Sequence, residues 1–259
     1  LAKKKIAMKA IDATHYLLSI SLRHDKVPNF IDYPYCLPVI RNLSTIELHP
    51  KVTFIVGENG TGKSTLLEAI AVASGFNPEG GTKNFNFATR ESHSPLHDCL
   101  HLHRGIKRPK DGFFLRAESY FNVATEIERL DSEPAIGPPI INSYGGRSLH
   151  EQSHGESFFA LVTERFGGHG LYILDEPEAA LSPSRQMSLL ARIHQLIKLN
   201  SQFIVATHSP IVMAYPDATI YQLSEFAIKQ VGYTDTEHYA ITREFLNKHE
   251  SMLKEILED

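Results

Sequence analysis

Cysteine is scarce in this chain: Cys36 and Cys99 are the only two among 259 residues. Two thiols make no disulfide framework, so a reducing, cytoplasmic setting is expected. Long apolar runs are absent as well. No stretch approaches the roughly 18 residues that cross a bilayer, so a membrane role would need a partner subunit. The opening Leu1-Ala2-Lys3-Lys4-Lys5 is basic, but no apolar core or small-residue cleavage site follows it. That excludes a signal-peptide reading, and residues 1–13 read as a disordered leader or a non-native remnant. Positive charge is not in excess either: 26 Lys and Arg face 30 Asp and Glu, a net of -4. No global basic field is available to hold nucleic acid, although a local patch would suffice. No internal repeat is evident. What remains is an ordinary globular composition, 42% hydrophobic and 22% charged, long enough to bury a substantial core.

Short apolar segments recur between amphipathic ones. Tyr16 to Leu22 and Ser44 to Leu48 read as strands, separated by the proline-containing stretch Pro28 to Pro38. Val52 to Val56, Leu171 to Leu174, Phe203 to Ala206 and Ile220 to Leu223 read as buried strands, and Phe113 to Arg116 as a further strand. Helices are expected over Ser64 to Ser74, Ser119 to Leu130, Glu156 to Phe166, from Ser182-Pro183 to about Leu199, and over His238 to Leu257. Gly75 to Asp111 reads as loop with a short helix, and Asp131 to Gly146 as mostly loop. Strands alternating with helices predict an α/β fold with a mainly parallel sheet, since parallel neighbours need crossover connections.

Gly57-Glu58-Asn59-Gly60-Thr61-Gly62-Lys63-Ser64 fits the phosphate-loop pattern without a gap, with a strand before it and a helix after it. Glycines let successive backbone N–H groups converge on phosphate oxygens, and the helix start points its positive end at the same anion. Asn59, Gly60, Thr61 and Gly62 would form the cradle. Lys63 would reach the β- and γ-phosphates, Ser64 would offer its hydroxyl to Mg2+, and Thr65 would approach the α-phosphate. Downstream, the apolar Leu171-Tyr172-Ile173-Leu174 ends in Asp175-Glu176. Ligands of open α/β sheets bind at such strand ends. Asp175 is placed to hold Mg2+ through water, and Glu176 to polarise an attacking water as general base. The doublet points to ATP hydrolysis rather than a pure nucleotide switch. A guanine motif of the Asn-Lys-x-Asp type is missing; Asn247-Lys248-His249-Glu250 only approximates it.

Two further segments choose among phosphate-loop classes. Gln152-Ser153-His154-Gly155-Glu156-Ser157 resembles the ABC ATPase signature Leu-Ser-Gly-Gly-Gln, matching at Ser153 and Gly155. Glu156 in the last place resembles the variant of soluble, repair-type members. Ala206-Thr207-His208-Ser209-Pro210 resembles the switch-histidine segment. Asp175 to Pro183 resembles the loop that follows the acidic strand, with Ser182 where Asp is usual. The resemblance runs from Gly57 to Ser209. It implies an ABC-type ATPase head: a mainly parallel core sheet, an N-terminal antiparallel β part, a helical signature insertion over 75–170 and a C-terminal helical tail over 224–259, all one domain. Within that group the chain resembles small stand-alone bacterial predicted ATPases of the repair and chromosome-maintenance branch.

The same resemblance implies roles. Ser153, Gly155 and Glu156 would bind the γ-phosphate of ATP held by another protomer, in a homodimer that buries two Mg-ATP. His208 would contact the γ-phosphate or the attacking water. Ser153 with Glu156 also forms a capping box, a structural role compatible with binding. The family's glutamine at the next strand end has no counterpart, and Glu118 is the candidate substitute as a metal contact. Tyr33 or Tyr35 could stack on adenine or pack in the core. His93, His97, Cys99, His101 and His103 offer ligand types that zinc accepts, at spacings that fit no standard structural site. The basic run Arg104 to Lys110 reads as a solvated loop, with nucleic acid or an acidic partner as the alternative. The implied function is a soluble ATPase driving a protein partner or a DNA-related process. The alternatives are a cytosolic transporter motor and a slow regulatory switch. Only roughly 90 residues separate phosphate loop and signature, too few for the long coiled-coil arms of the large repair ATPases.

Overall fold

A computed structural model describes residues 15–83, 94–117, 120–134 and 137–258. Nine strands and seven α-helices are found among them. The strands are β1 (Leu17–Leu22), β2 (Thr45–Glu47), β3 (Val52–Gly57), β4 (Leu100–Arg104), β5 (Asp111–Arg116), β6 (Gly170–Asp175), β7 (Gln202–Ala206), β8 (Thr219–Leu223) and β9 (Ile228–Val231). The helices are α1 (Pro38–Arg41), α2 (Lys63–Ala73), α3 (Leu96–Cys99), α4 (Tyr120–Ser132), α5 (His154–Ala160), α6 (Pro183–Lys198) and α7 (Glu237–Leu257).

The core sheet has the order β5-β6-β7-β3-β8-β9, parallel except for the antiparallel β8–β9 pair. A smaller antiparallel sheet, β2-β1-β4, packs beside it. β3 and β6 are buried at every position, as strands covered on both faces must be. Their alternate side chains split between two cores. Val52, Phe54 and Val56 join α6, the segment around α5 and the aromatic stack of Phe166, Tyr172 and Phe203, whereas Ile55 faces α2 and the small sheet. That two-residue alternation is the strand period at work. α6 buries Leu189, Ile193 and Leu196 on one stripe, and Ser182 caps it by accepting from the Arg185 N–H at 3.4 Å.

One buried side chain ties the two sheets together. The Gln202 carboxamide accepts from the Tyr16 and Leu17 N–H groups at 3.0 and 2.9 Å. It donates to the Leu17 and His49 carbonyls at 2.8 and 3.1 Å.

Two stretches differ from the sequence reading. Gly75 to Asp111, read as loop with a short helix, also contains β4, which pairs with β1 along its length. Leu100 and Leu102 face inward while His101 and His103 face out, an alternation that the polar, histidine-rich composition masked. The tail after residue 224, read as helical, begins with the edge strand β9, whose Ile228–Val231 carries little apolar signal because it is only half covered.

Candidate functional site

The phosphate loop leaves β3 at Gly57 and enters α2 at Lys63. Gly62 caps the helix in the left-handed region at φ 96°. A Cβ there would lie 2.8 Å from Val39 Cγ1, so both the dihedral and the space demand glycine. The Lys63 ammonium, almost wholly buried, donates to the Gly57 and Glu58 carbonyls at 2.9 Å each and so closes the loop on itself. Burial pushes the Lys63 pKa down, opposed by the carboxylates of Glu176, Asp175, Glu58 and Glu178. Beside it, Ser64 Oγ donates to Asp175 Oδ1 at 3.2 Å. The loop from Gly57 to Lys63 and the acidic strand end thus meet at the C-terminal edge of the parallel sheet.

Glu176 turns away from β6 in the left-handed region, φ 52°, an uncommon conformation for a residue with a side chain. Its N–H donates to the Ala206 carbonyl at 3.0 Å, which fixes the turn. The turn brings Glu176 Oε1 within 3.4 Å of His208 Nε2. His208 follows β7 and is held from two sides. Its N–H donates to Glu178 Oε1 at 2.6 Å, and its Nδ1 lies 3.0 Å from His238 Nε2. Burial lowers the His208 pKa, with Lys63 adding to the effect and Glu176 opposing it. Burial raises that of Glu178.

The signature segment is built differently. Ser153 caps α5 and forms the expected box with Glu156: Glu156 Oε2 accepts from the Ser153 N–H at 3.1 Å and from its hydroxyl at 2.7 Å. These bonds hold the Glu156 carboxyl below its usual range. Gly155 packs so closely on the following loop that a Cβ would meet the Ala180 carbonyl at 2.6 Å. Ser153 and Glu156 are exposed, and among the described residues neither bonds to the phosphate loop of its own chain.

The remaining candidates separate. Tyr33 is 64% exposed and its hydroxyl lies 3.0 Å from Thr65 Oγ1, at the site, whereas Tyr35 is buried against Cys99. Glu118 and His93 lie outside the described residues. His101 and His103 stack edge to face on the outer side of β4 while Cys99 is buried, and among the described residues no group of three or more His, Cys, Asp or Glu side chains gathers as a metal site. His238, at the start of α7, had no sequence signal. Its neighbour His208 is 30 positions away, and no spacing rule links the two.

A family model described as an AAA domain matches residues 29–119, and one described as AAA domain, putative AbiEii toxin, Type IV TA system matches residues 140–214. Zinc import ATP-binding protein ZnuC 1 of Aliivibrio fischeri is 28% identical over 186 residues, covering 70% of this chain and 68% of that protein. These matches support an ABC-superfamily ATPase. Other proteins resemble the chain more locally or in fold alone. DNA replication and repair protein RecF of Colwellia psychrerythraea is 62% identical over 32 residues, 12% of this chain and 8% of that one. The solved ATP-binding cassette MJ1267 of an ABC transporter shares the fold at TM-score 0.53 and 16% identity, covering 90% of this chain and 98% of its own. This ABC-type domain contains, among its described residues, no helix long and apolar enough to cross a membrane.

Proposed function

We propose that this chain binds Mg-ATP in its phosphate loop and hydrolyses it as a head-to-tail homodimer, and that the cycle of closing and opening drives a partner protein or a DNA-related process in the cytoplasm. The observation that carries the proposal is a separation. Lys63, Ser64, Asp175, Glu176 and His208 gather at one sheet edge, while exposed Ser153 and half-buried Gly155 sit elsewhere, and among the described residues Ser153 bonds within its own segment and Gly155 packs on the loop beside it. A second copy would bring the two halves together, in the isologous manner of a two-fold dimer.

The residues fit the ligand. The Gly-rich loop and the start of α2 offer N–H groups to phosphate oxygens, and Lys63 adds a positive charge. Ser64 and Asp175 present hard oxygens at hydrogen-bond distance, the donor type that Mg2+ takes. When bound, Mg2+ would neutralise charge between the β- and γ-phosphates. Glu176 would accept the proton of the attacking water, and His208 would hold the γ-phosphate beside it. Exposed Tyr33, at Thr65, is placed to meet the nucleotide base.

The similarity to RecF and the AAA model that names a toxin family support a head working on DNA or a protein partner. The similarity to ZnuC 1 supports the second reading, an ATPase subunit serving a separate transport protein. Light scattering of Glu176→Gln with and without Mg-ATP tests the dimer. Turnover is expected to fall about 100- to 10,000-fold, and the mass to double with ATP alone. A monomer that retains bound ATP would overturn the homodimer.

A further inference from the structure

We propose that His238, at the start of α7, is a positioning residue that fixes the tautomer and orientation of His208, and through it links α7 to ATP turnover. The inference rests on the catalytic reading of His208 given above.

Two neutral imidazoles 3.0 Å apart share one hydrogen. If His208 donated from Nδ1, its bare Nε2 would face the Glu176 carboxylate 3.4 Å away, lone pair against lone pair. His238 would then carry its hydrogen on Nδ1, which is buried and has no hydrogen-bond partner among the described residues. If His238 donates from Nε2, the repulsion is replaced by attraction: His208 turns its Nε2–H toward the Glu176 carboxylate at 3.4 Å, a charge contact rather than a hydrogen bond among the described residues. His208 then accepts at Nδ1 and presents an N–H at Nε2 toward Glu176 and the reaction centre. His238 keeps only an unprotonated nitrogen without a partner, the less costly orphan. The second arrangement is therefore the one the site favours.

The contact is built rather than incidental. Thr236, fully buried, donates its hydroxyl to the Tyr233 carbonyl at 2.8 Å and accepts the Tyr239 N–H at 3.4 Å, capping α7. The Tyr233 hydroxyl donates to the Pro210 carbonyl at 2.9 Å, two residues beyond His208. The Glu237 N–H donates to Gln222 on β8 at 3.2 Å. The start of α7 is thus tied both to the core sheet and to the histidine segment. Charged groups act on the pair from several elements: Lys63 from α2, Glu58 from the phosphate loop, Glu176 and Glu178 after β6, and Glu237 from α7 itself. Burial, with Lys63 adding to it, lowers the pKa of both rings and favours the neutral pair.

Nitrogen-15 spectra of the full chain labelled at histidine, together with steady-state ATP turnover, test the assignment. His208 is expected to show a protonated Nε2 and a bare Nδ1, with scalar coupling from His238 Nε2 across the hydrogen bond. His238→Ala should abolish that coupling and lower kcat about tenfold at unchanged KM for ATP, the effect of one misplaced hydrogen bond. His238→Gln, whose amide N–H reaches the same point, should restore most of the rate. A protonated His208 Nδ1, wild-type kcat in His238→Ala, or equal defects in the Ala and Gln variants would each overturn the proposal. Unchanged turnover in His208→Ala would instead remove the catalytic reading beneath it, and the spectra would still report the histidine pair.

Discussion

Ser64 Oγ donates to Asp175 Oδ1 across 3.2 Å, although 111 positions separate the two in the chain. β7 lies between their parent strands in the sheet. The contact therefore depends on α2 starting over the sheet edge, so that its first turn leans across β7 to the end of β6. The glycine-capped helix start and the buried apolar strand are both needed for it, which is why two short motifs so far apart read as one site.

From that pair follows a metal-dependent prediction. Asp175→Asn keeps the size and one hydrogen bond to Ser64 but removes the negative charge. The Mg2+ concentration that half-saturates turnover is expected to rise about 10- to 100-fold, as when a partner of a metal site is altered. A titration with Mg2+ at fixed ATP reads it directly, and an unchanged midpoint would place the metal elsewhere.

Ser153→Arg separates the two halves of the proposed composite site. The variant puts a long cation at an exposed position whose side chain, among the described residues, bonds to Glu156. Affinity of the monomer for ATP should stay within about twofold, since surface changes away from a site cost little, while dimer formation and turnover are lost. Loss of ATP binding by the monomer would mean that Ser153 serves its own phosphate loop, against the reading in trans.

How much of this was legible beforehand depends on the range of the physics involved. The phosphate loop, the acidic strand end and the histidine at the end of β7 are local patterns, and their flanking strands are apolar enough to be read from periodicity. β4 was lost because outward His101 and His103 disguised a two-residue alternation, and β9 because an edge strand needs little apolar surface. His238 could not be read at all: its partner is set by where α7 docks, a tertiary fact without local signal. Gln202 is a similar case, a polar residue opening an apolar strand that reads as a surface position until its four buried partners are seen.

Acid should weaken the fold through its buried histidines. Burial lowers the folded pKa of His49, His208 and His238, against opposition from Asp217, Glu176 and Glu58 respectively. A lowered histidine binds fewer protons folded than unfolded, so stability is present above the unfolded value of about 6.5 and is lost as pH falls toward the folded values. Glu178 acts in the opposite sense, because its raised pKa lets the folded state take up a proton first. The urea midpoint is expected to drop between pH 7.5 and pH 5.5 in the sense set by the histidines, and Glu178→Gln should steepen the drop. A flat midpoint in both proteins would mean that the three rings titrate freely.

The join between the two sheets offers the sharpest stability test, since one side chain makes four hydrogen bonds across it. Gln202 is fully buried and uses its whole hydrogen-bonding capacity on backbone groups: two N–H groups of β1 and its approach, one carbonyl of β1, and the His49 carbonyl. Gln202→Leu matches the volume and keeps the apolar strand, but orphans the groups it served. Each orphan costs about 1–3 kcal/mol, and partial relaxation brings the expected total to about 3–5 kcal/mol. Urea denaturation measures the sum. Amide exchange localises it: Tyr16 and Leu17 should lose protection far more than Phe54 or Ile55 in β3, whose ladder bonds run to β7 and β8 and are untouched. The small sheet also carries Tyr16 Oη to the Asn200 carbonyl at 2.7 Å, a second tie that keeps β1 docked in part. Equal loss of protection at β1 and β3 would show that the two sheets unfold as one unit and that Gln202 is no hinge between them. A loss below about 1 kcal/mol would show that water replaces the side chain at little cost.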